Sequence, residues 1–171
     1  MPDPRCFLLL LTLAVLAAPG QAIAQAASSS NATSTARLIR PLSILKVSDL
    51  DFGGITATAA GTVVINPDTN AVTYTGGVVP AGGSPRPASF LGSAVKRTVV
   101  NIRVPRQSIL LRRTGGTETL TVSDWTLQGQ SKRDLAAQSV FSFAVGATVT
   151  IPDNPVEGDY TGTFEVDIHY P

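Results

Sequence analysis

The sequence YTGTFEVDIHY at residues 160–170 has the clearest periodicity in the chain. Apolar or aromatic side chains occupy alternate positions, Gly162 completes the row, and polar side chains occupy the positions between them. Successive side chains of a β-strand point to opposite faces of its sheet. The stretch therefore predicts a strand with one solvated face and one buried face. The buried face consists of Tyr160, Gly162, Phe164, Val166, Ile168 and Tyr170.

Two further stretches share this alternation. Residues 141–151 place Phe, Phe, Val, Ala, Val and Ile on one face, and residues 100–104 alternate in the same way. In residues 120–127 the alternation changes phase, which predicts a β-bulge near Ser123 that returns Trp125 to the buried face. Weaker strand candidates lie at residues 38–47, 62–65, 71–74, 88–91 and 108–111.

Turn-forming residues separate these segments. Glycine pairs and the sequences Asn-Pro-Asp and Pro-Asp-Asn-Pro recur between them. Short strands divided by such turns favour an antiparallel sandwich over a parallel sheet, which needs intervening helices. We therefore predict an all-β fold, an immunoglobulin-like and mostly antiparallel β-sandwich of about seven to nine strands.

Residues 1–26 carry the features of a signal peptide. Arg5 precedes an apolar run over residues 6–18, and small residues at Ala24 and Ala26 form a cleavage site. The run is shorter than the roughly 20 apolar residues that span a bilayer, and a membrane anchor would also need stop-transfer charges that are missing here. We predict cleavage after Ala26, with Ala24 as the alternative. The protein is then exported to the periplasm, the cell surface or the extracellular space.

The chain after the signal peptide is predicted to hold one domain. Residues 27–37 are rich in Ala, Ser and Thr, which is typical of a flexible linker. Residues 38–171 have the length of a single β-sandwich domain. The only cysteine, Cys6, lies in the signal peptide, so we expect no disulfide and no Cys-ligated metal site in the mature chain. No transmembrane segment is expected after signal cleavage.

Charge is balanced overall but uneven along the chain. The 13 Lys and Arg and the 12 Asp and Glu give a net charge of +1, which excludes a strongly basic nucleic-acid-binding protein. Every charged residue between Thr69 and Thr117 is basic, whereas acidic residues dominate from Glu118 onward. Either the fold gathers the basic residues into one surface that attracts anionic polymers, or neighbouring strands mix both signs. Under the first alternative, the candidate polyanion contacts are Arg103, Arg106 and Arg112.

Catalytic and metal-binding patterns are not evident in the sequence. His169, the only histidine, falls on the polar face of its predicted strand, and no nucleophile elbow or phosphate-binding loop is present. The oxygen-bearing side chains between Asp153 and Asp159 lack the spacing of a calcium-binding loop. Trp125 is expected in the core rather than on the surface as a platform for sugars. We predict a protein that is not an enzyme and has no cofactor or metal site.

Five motifs together resemble an exported bacterial domain family of unknown function. They are LDFG at residues 50–53, GTV at 61–63, GG at 76–77, FAVGATV at 143–149 and GDYTGTFEVDIHY at 158–170. The resemblance extends from about Leu42 to Tyr170. That family is similar to pilin-like subunits of fimbriae and to spore-coat-type surface proteins. The resemblance implies a pilin-like β-sandwich with a structural or adhesive role, although many fimbrial subunits carry a disulfide that this mature chain lacks.

Two functions follow from these expectations. The leading hypothesis is a structural or adhesive subunit of the bacterial cell envelope. In it, the segment from Arg37 to Val47 adds a strand to an open sheet edge of another copy or of another surface subunit. The alternative is a secreted binding module for anionic envelope polysaccharide, with the basic stretch from Arg86 to Arg113 as the contact. No nucleic-acid partner is expected.

Overall fold

The computed structural model describes residues 42–171. The predicted signal peptide, the predicted linker and the first residues of strand candidate 38–47 lie outside this part of the chain. Residues 42–171 contain eleven strands and no helix, so the prediction of an all-β fold is confirmed. The strands are β1 (Ser43–Ser48), β2 (Gly54–Ile65), β3 (Val72–Gly82), β4 (Ala88–Ser93), β5 (Val99–Arg103), β6 (Ile109–Arg113), β7 (Thr119–Leu127), β8 (Lys132–Asp134), β9 (Val140–Ile151), β10 (Tyr160–Thr161) and β11 (Asp167–His169).

The long strand β9 organises the larger of two sheets. Val145 of β9 pairs with β4 on one side and with β7 on the other, and Thr150 pairs with β2 and with β7. A strand has only two edges. Since β7 occupies one edge of β9, β4 and β2 share the other edge, one after the other along its length. The large sheet has the order β1-β4-β9-β7-β6-β10, and β3 joins it through β2. The small sheet has the order β11-β5-β8.

Every strand pairing is antiparallel, and the two sheets pack as a β-sandwich over part of their area. One core cluster lies between them, with Phe90 and Phe143 from the large sheet and Val100 and Ile102 from the small sheet. Phe143 stacks on Phe90 with ring centroids 5.2 Å apart. The predicted antiparallel sandwich is therefore confirmed.

A second core cluster lies on the other half of the large sheet. Its buried members come from β2, β3, β7 and β9: Val63, Val78, Leu120, Val122, Ala147, Val149 and Ile151. No strand of the small sheet contributes to it. Partly buried residues of connecting segments, such as Leu50, Phe52 and Tyr160, pack against it instead. The sandwich is therefore complete over one half of the large sheet and covered by connecting segments over the other half.

The predicted bulge in β7 is present. The register between β7 and β9 shifts between Ser123 and Thr126, and Asp124 has a φ of +50°. Beyond this shift, Trp125 is half-buried and packs against both core clusters, so the prediction of a core position is met only in part. The indole Nε1 donates to the carbonyl oxygen of Gln107 at 3.0 Å.

In the stretch at residues 160–170 the apolar side chains are half-buried as predicted, but Gly162 is exposed and the stretch is not one continuous strand. Residues 160–161 form β10 and pair with β6, whereas residues 167–169 form β11 and pair with β5 in the other sheet. Gly162 lies close to β6, because a Cβ placed there would be 3.0 Å from the carbonyl oxygen of Leu110. The stretch crosses from one sheet to the other. This division and the three-residue β8 explain why eleven strands form instead of about seven to nine.

Candidate assembly site

The strand β1 lies at an edge of the large sheet. It pairs with β4 and, among the described strands, with no other, so its second backbone edge has no strand partner. Its residues 43–47 are all exposed, including the apolar side chains of Leu45 and Val47. Unpaired edges with apolar side chains favour pairing with another chain. The segment predicted to add a strand elsewhere therefore lies, over its described part, at an open and apolar sheet edge.

An exposed apolar patch extends from β1 onto the outer face of the sheet. Leu45 is 65 % exposed and lies opposite Leu91 of β4, which is 39 % exposed. Leu91 in turn lies opposite Ser142 of β9. Val140, which is 54 % exposed, is two residues from Ser142 and therefore a diagonal neighbour of Leu91. We call Leu45, Leu91 and Val140 the outer patch.

A cavity of about 1050 Å³ lies over the second core cluster. Two connecting segments, residues 49–57 and residues 155–162, bound it, and the sheet forms its floor with Leu120, Val122 and Val149. Trp125 and Phe164 also line it. We call this cavity the slot. It occupies the half of the large sheet that the small sheet leaves uncovered.

Four carboxylates line the slot, and two of them have cationic partners. Asp49 accepts a hydrogen bond from Lys46, and Asp51 lies 3.4 Å from the guanidinium of Arg86. Glu157 and Asp159 are exposed and make no ion pair with any residue of the range 42–171. On this side of the slot the two carboxylates flank Gly158, against which the side chain of Arg113 packs.

Two of the three predicted polyanion contacts share one groove. Arg103 and Arg106 line a groove of about 570 Å³, but Glu165 and Asp167 line the same groove. Asp167 lies directly opposite Arg103 in the ladder between β11 and β5. Arg112 does not line that groove and lies opposite Thr161.

Other basic residues of the acid-free stretch also meet carboxylates in the fold. Arg86 approaches Asp51, and Nε of Arg113 donates to Oε2 of Glu118 at 2.7 Å. Strands that are distant in the sequence therefore bring both signs of charge together at these positions. At Arg86, Arg103 and Arg113 the arrangement is the mixed one, the second of the two alternatives stated from the sequence.

Asp153 and His169, which the sequence analysis considered for ligand binding or catalysis, have structural contacts. Asp153 accepts the backbone N–H of Ala60 at 2.7 Å, which ties the turn before β10 to β2. His169 lies in β11 opposite Asn101. Within residues 42–171, no group of three or more His, Cys, Asp and Glu side chains is arranged to hold a metal ion.

The slot was not predicted from the sequence. The segments that bound it are far apart in the chain, and Gly53-Gly54 and the Pro-Asp-Asn-Pro sequence at 152–155 indicate only turns. The one available signal was the apolar content of these segments, with Phe52 and Ile55 in the first and Val156 and Tyr160 in the second. Such residues in a connecting segment indicate that it covers a core.

Comparisons with known proteins add one family assignment. No helix in the described part of the chain has the length and apolar character to cross a membrane. No curated protein matches the chain, and no solved structure does. A family model described as a domain of unknown function matches residues 42–170, which agrees with the predicted extent of the resemblance and carries no link to pilin-like or spore-coat-type proteins. The chain therefore belongs to the DUF4402 family, a domain of unknown function.

Proposed function

We propose that this protein is a non-enzymatic structural or adhesive subunit of the bacterial cell envelope. The signal-peptide features of residues 1–26 support export to the periplasm, the cell surface or the extracellular space. The subunit associates with further copies of itself or with other surface subunits through strand addition, in the manner of pilin-like proteins.

The observation that carries this proposal is the apolar edge strand β1. A stable monomer usually protects its sheet edges with charges, prolines, bulges or covering loops. Among the described strands β1 has an open edge beside the outer patch, and its most exposed apolar side chain, Leu45, is 65 % exposed. Its only edge protections are Lys46 and a register shift between Lys46 and Ser48. Contiguous apolar surface of this kind marks sites where another protein binds.

The test compares two forms of the mature chain by size-exclusion chromatography with light scattering. One form begins at Ala27, and the other lacks the arm through Arg40 but keeps β1. We expect the first form to assemble increasingly with concentration and the second to remain monomeric, because the arm supplies the added strand. If both forms are well-folded monomers at high concentration, assembly by strand addition is excluded.

A pair of single substitutions distinguishes pairing at the sheet edge from nonspecific hydrophobic association. Leu45→Lys places a charge on the open edge strand, where lysine opposes strand pairing. Leu110→Lys is the matched control, because Leu110 is 58 % exposed but lies on β6, far along the strand order from β1. Loss of assembly in the first variant alone supports the proposal, and an equal effect of both variants contradicts it.

The alternative function, a binding module for anionic envelope polysaccharide, has less support. Arg103 and Arg106 share a groove, as that function requires, but Glu165 and Asp167 line the same groove and oppose an anionic ligand. Arg112 lies elsewhere.

A further inference from the structure

The outer face of the large sheet, on the side away from the second core cluster, carries a row of threonines. Val63, Val122 and Val149 point into that cluster, so their neighbours in β2, β7 and β9 point outward. The strand registers align four outward residues in one row across β3, β2, β9 and β7: Thr75, Thr62, Thr150 and Thr121. Four adjacent strands therefore present the same side chain at the same level.

A second row lies two residues further along the same four strands. It consists of Thr73, Val64, Thr148 and Ser123. All eight side chains are exposed or half-buried, and none is charged, although Asp124 borders them beside Ser123. Protein surfaces usually intersperse charged residues of both signs. We call these eight residues the threonine face, and its lack of charge favours an uncharged partner.

The threonine face holds its oxygen atoms and methyl groups in fixed positions. A β-branched side chain such as threonine is stiff about χ1. The hydroxyl groups of Thr62 and Thr75 are also hydrogen-bonded to each other at 2.6 Å. Neighbouring strands lie about 4.8 Å apart, and outward residues of one strand follow one another at about 6.7 Å. The face is therefore a preformed grid of hydroxyl and methyl groups.

The spacings of this grid resemble those of an ice surface. The spacing between strands is close to the repeat along the a axis of hexagonal ice, and the spacing along a strand is somewhat shorter than the repeat along the c axis. Water molecules that bridge hydroxyl groups on such a grid occupy positions near those of the ice lattice. A neutral polysaccharide would instead need aromatic rings on which its sugars stack, and the threonine face has none.

We propose that the threonine face binds ice. Neighbouring strands of a sheet are rotated by about 20–25° relative to one another, so the grid follows a flat lattice over only a few strands. The contact is therefore small, and we expect the protein to slow the recrystallisation of ice rather than to lower the freezing point strongly. The inference goes beyond the proposed function and does not depend on assembly, because a monomer presents the whole face.

Incorporation into growing ice tests the proposal on the mature chain that begins at Ala27. The protein is labelled with a fluorescent dye at its amino terminus, and ice is grown slowly from the solution. We expect the original protein to enter the ice. Thr75→Lys with Thr150→Lys should remain in the liquid, because two long charged side chains then protrude from the grid. Thr163→Lys is the matched control, since Thr163 is exposed and lies outside the threonine face, and it should enter the ice.

Further variants separate ice binding from assembly and from misfolding. Urea unfolding checks that each lysine variant is folded, and Thr150→Lys alone replaces the double variant if that one is not. Leu45→Lys, which opposes pairing at β1, should enter the ice like the original protein. Exclusion of the original protein from the ice overturns the proposal, and so does equal incorporation of the original protein and the folded Thr150→Lys variant. Binding to crystalline cellulose without incorporation into ice also overturns it and assigns the face to a neutral polysaccharide.

Discussion

The side chains of Arg113 and Glu118 close the turn between β6 and β7. Nε of Arg113 donates to Oε2 of Glu118 at 2.7 Å, and the backbone N–H of Thr117 donates to the same oxygen at 3.1 Å. The hydrogen bond from Arg113 is the main reason that the pKa of Glu118 falls from 4.5 to about 2. The same bond raises the pKa of Arg113. The turn is therefore held by a charge that disappears in acid.

The change Glu118→Gln should lower the free energy of unfolding in a pH-dependent way. A carboxylate with a lowered pKa in the folded state stabilises the protein above its ordinary pKa, and this stabilisation is lost as the pH falls. The difference between the original protein and the variant should therefore be full above pH 4.5 and vanish towards pH 2. Urea unfolding at a series of pH values measures it. A difference that stays constant with pH would contradict the role of the charge.

Glu165→Gln is the control for this experiment. Glu165 is exposed and makes no ion pair with any residue from 42 to 171. Its substitution should leave the free energy of unfolding unchanged, within about 0.5 kcal/mol, at every pH.

The burial of some single residues can be predicted from the sequence, whereas their neighbours across a sheet cannot. Trp125 was predicted in the core because large aromatic side chains usually pack there, and in the structure it is half-buried against both core clusters. The neighbours of Arg103 were not predictable. Asp167 lies opposite Arg103 only because β11 pairs with β5 in one particular register, and nothing in the local sequence determines a register between such distant segments.

At the scale of elements, the bulge in β7 is the most informative feature. The phase change between Val122 and Trp125 predicted it, since a period-two pattern can return to the same face only through an extra residue. The left-handed backbone at Asp124 accommodates that residue, and Asp tolerates this conformation better than most residues. Here the local sequence specifies both the bulge and its place.

The change Asp124→Val should destabilise the protein by about 1–2 kcal/mol, because a β-branched side chain clashes with the backbone at positive φ. Asp124→Asn is the control, since Asn tolerates this conformation and keeps an acceptor for the hydroxyl of Ser123. Urea unfolding of both variants gives the difference. Equal stability of the two would mean that the bulge moves to another residue.

The hairpin of β2 and β3 shows why other elements were predicted only in part. Residues 62–65 and 71–74 were predicted as short strands, whereas β2 begins at Gly54 and β3 continues to Gly82. Residues 56–59 alternate Thr with Ala, but alanine is a small residue, so the contrast between apolar and polar positions is weak. The pairing with β3 extends the strand where the sequence signal is weak.

For the whole molecule, the two core clusters meet at a few shared residues. Leu50 and Trp125 pack against both clusters, and Phe164 lies 4.7 Å from Trp125 and 6.5 Å from Phe90 between ring centroids. Local alternation predicted most of the buried residues of each cluster. The alternation could not predict that the small sheet covers only one of the two clusters. The extent of that cover depends on where residues 160–170 cross from the large sheet to the small one.

The shared position of Trp125 predicts cooperative unfolding of residues 42–171. Trp125 is the only tryptophan of the chain, so its fluorescence reports the contact between the clusters. In urea, the fluorescence transition should coincide with the loss of β-sheet signal in far-ultraviolet circular dichroism. An earlier fluorescence transition would mean that the half of the sheet beneath the slot unfolds separately.

The placement of β9 also has a kinetic consequence. Its partners β2 and β4 come early in the chain, and Gly61 of β2 pairs with Ile151 at the end of β9. A chain with such a high contact order folds slowly, on the order of milliseconds to seconds for comparable β-proteins. Until β9 has emerged from the ribosome, β2, β4 and β7 have no central strand to join. A nascent chain of this design therefore cannot complete its large sheet until its synthesis is nearly finished.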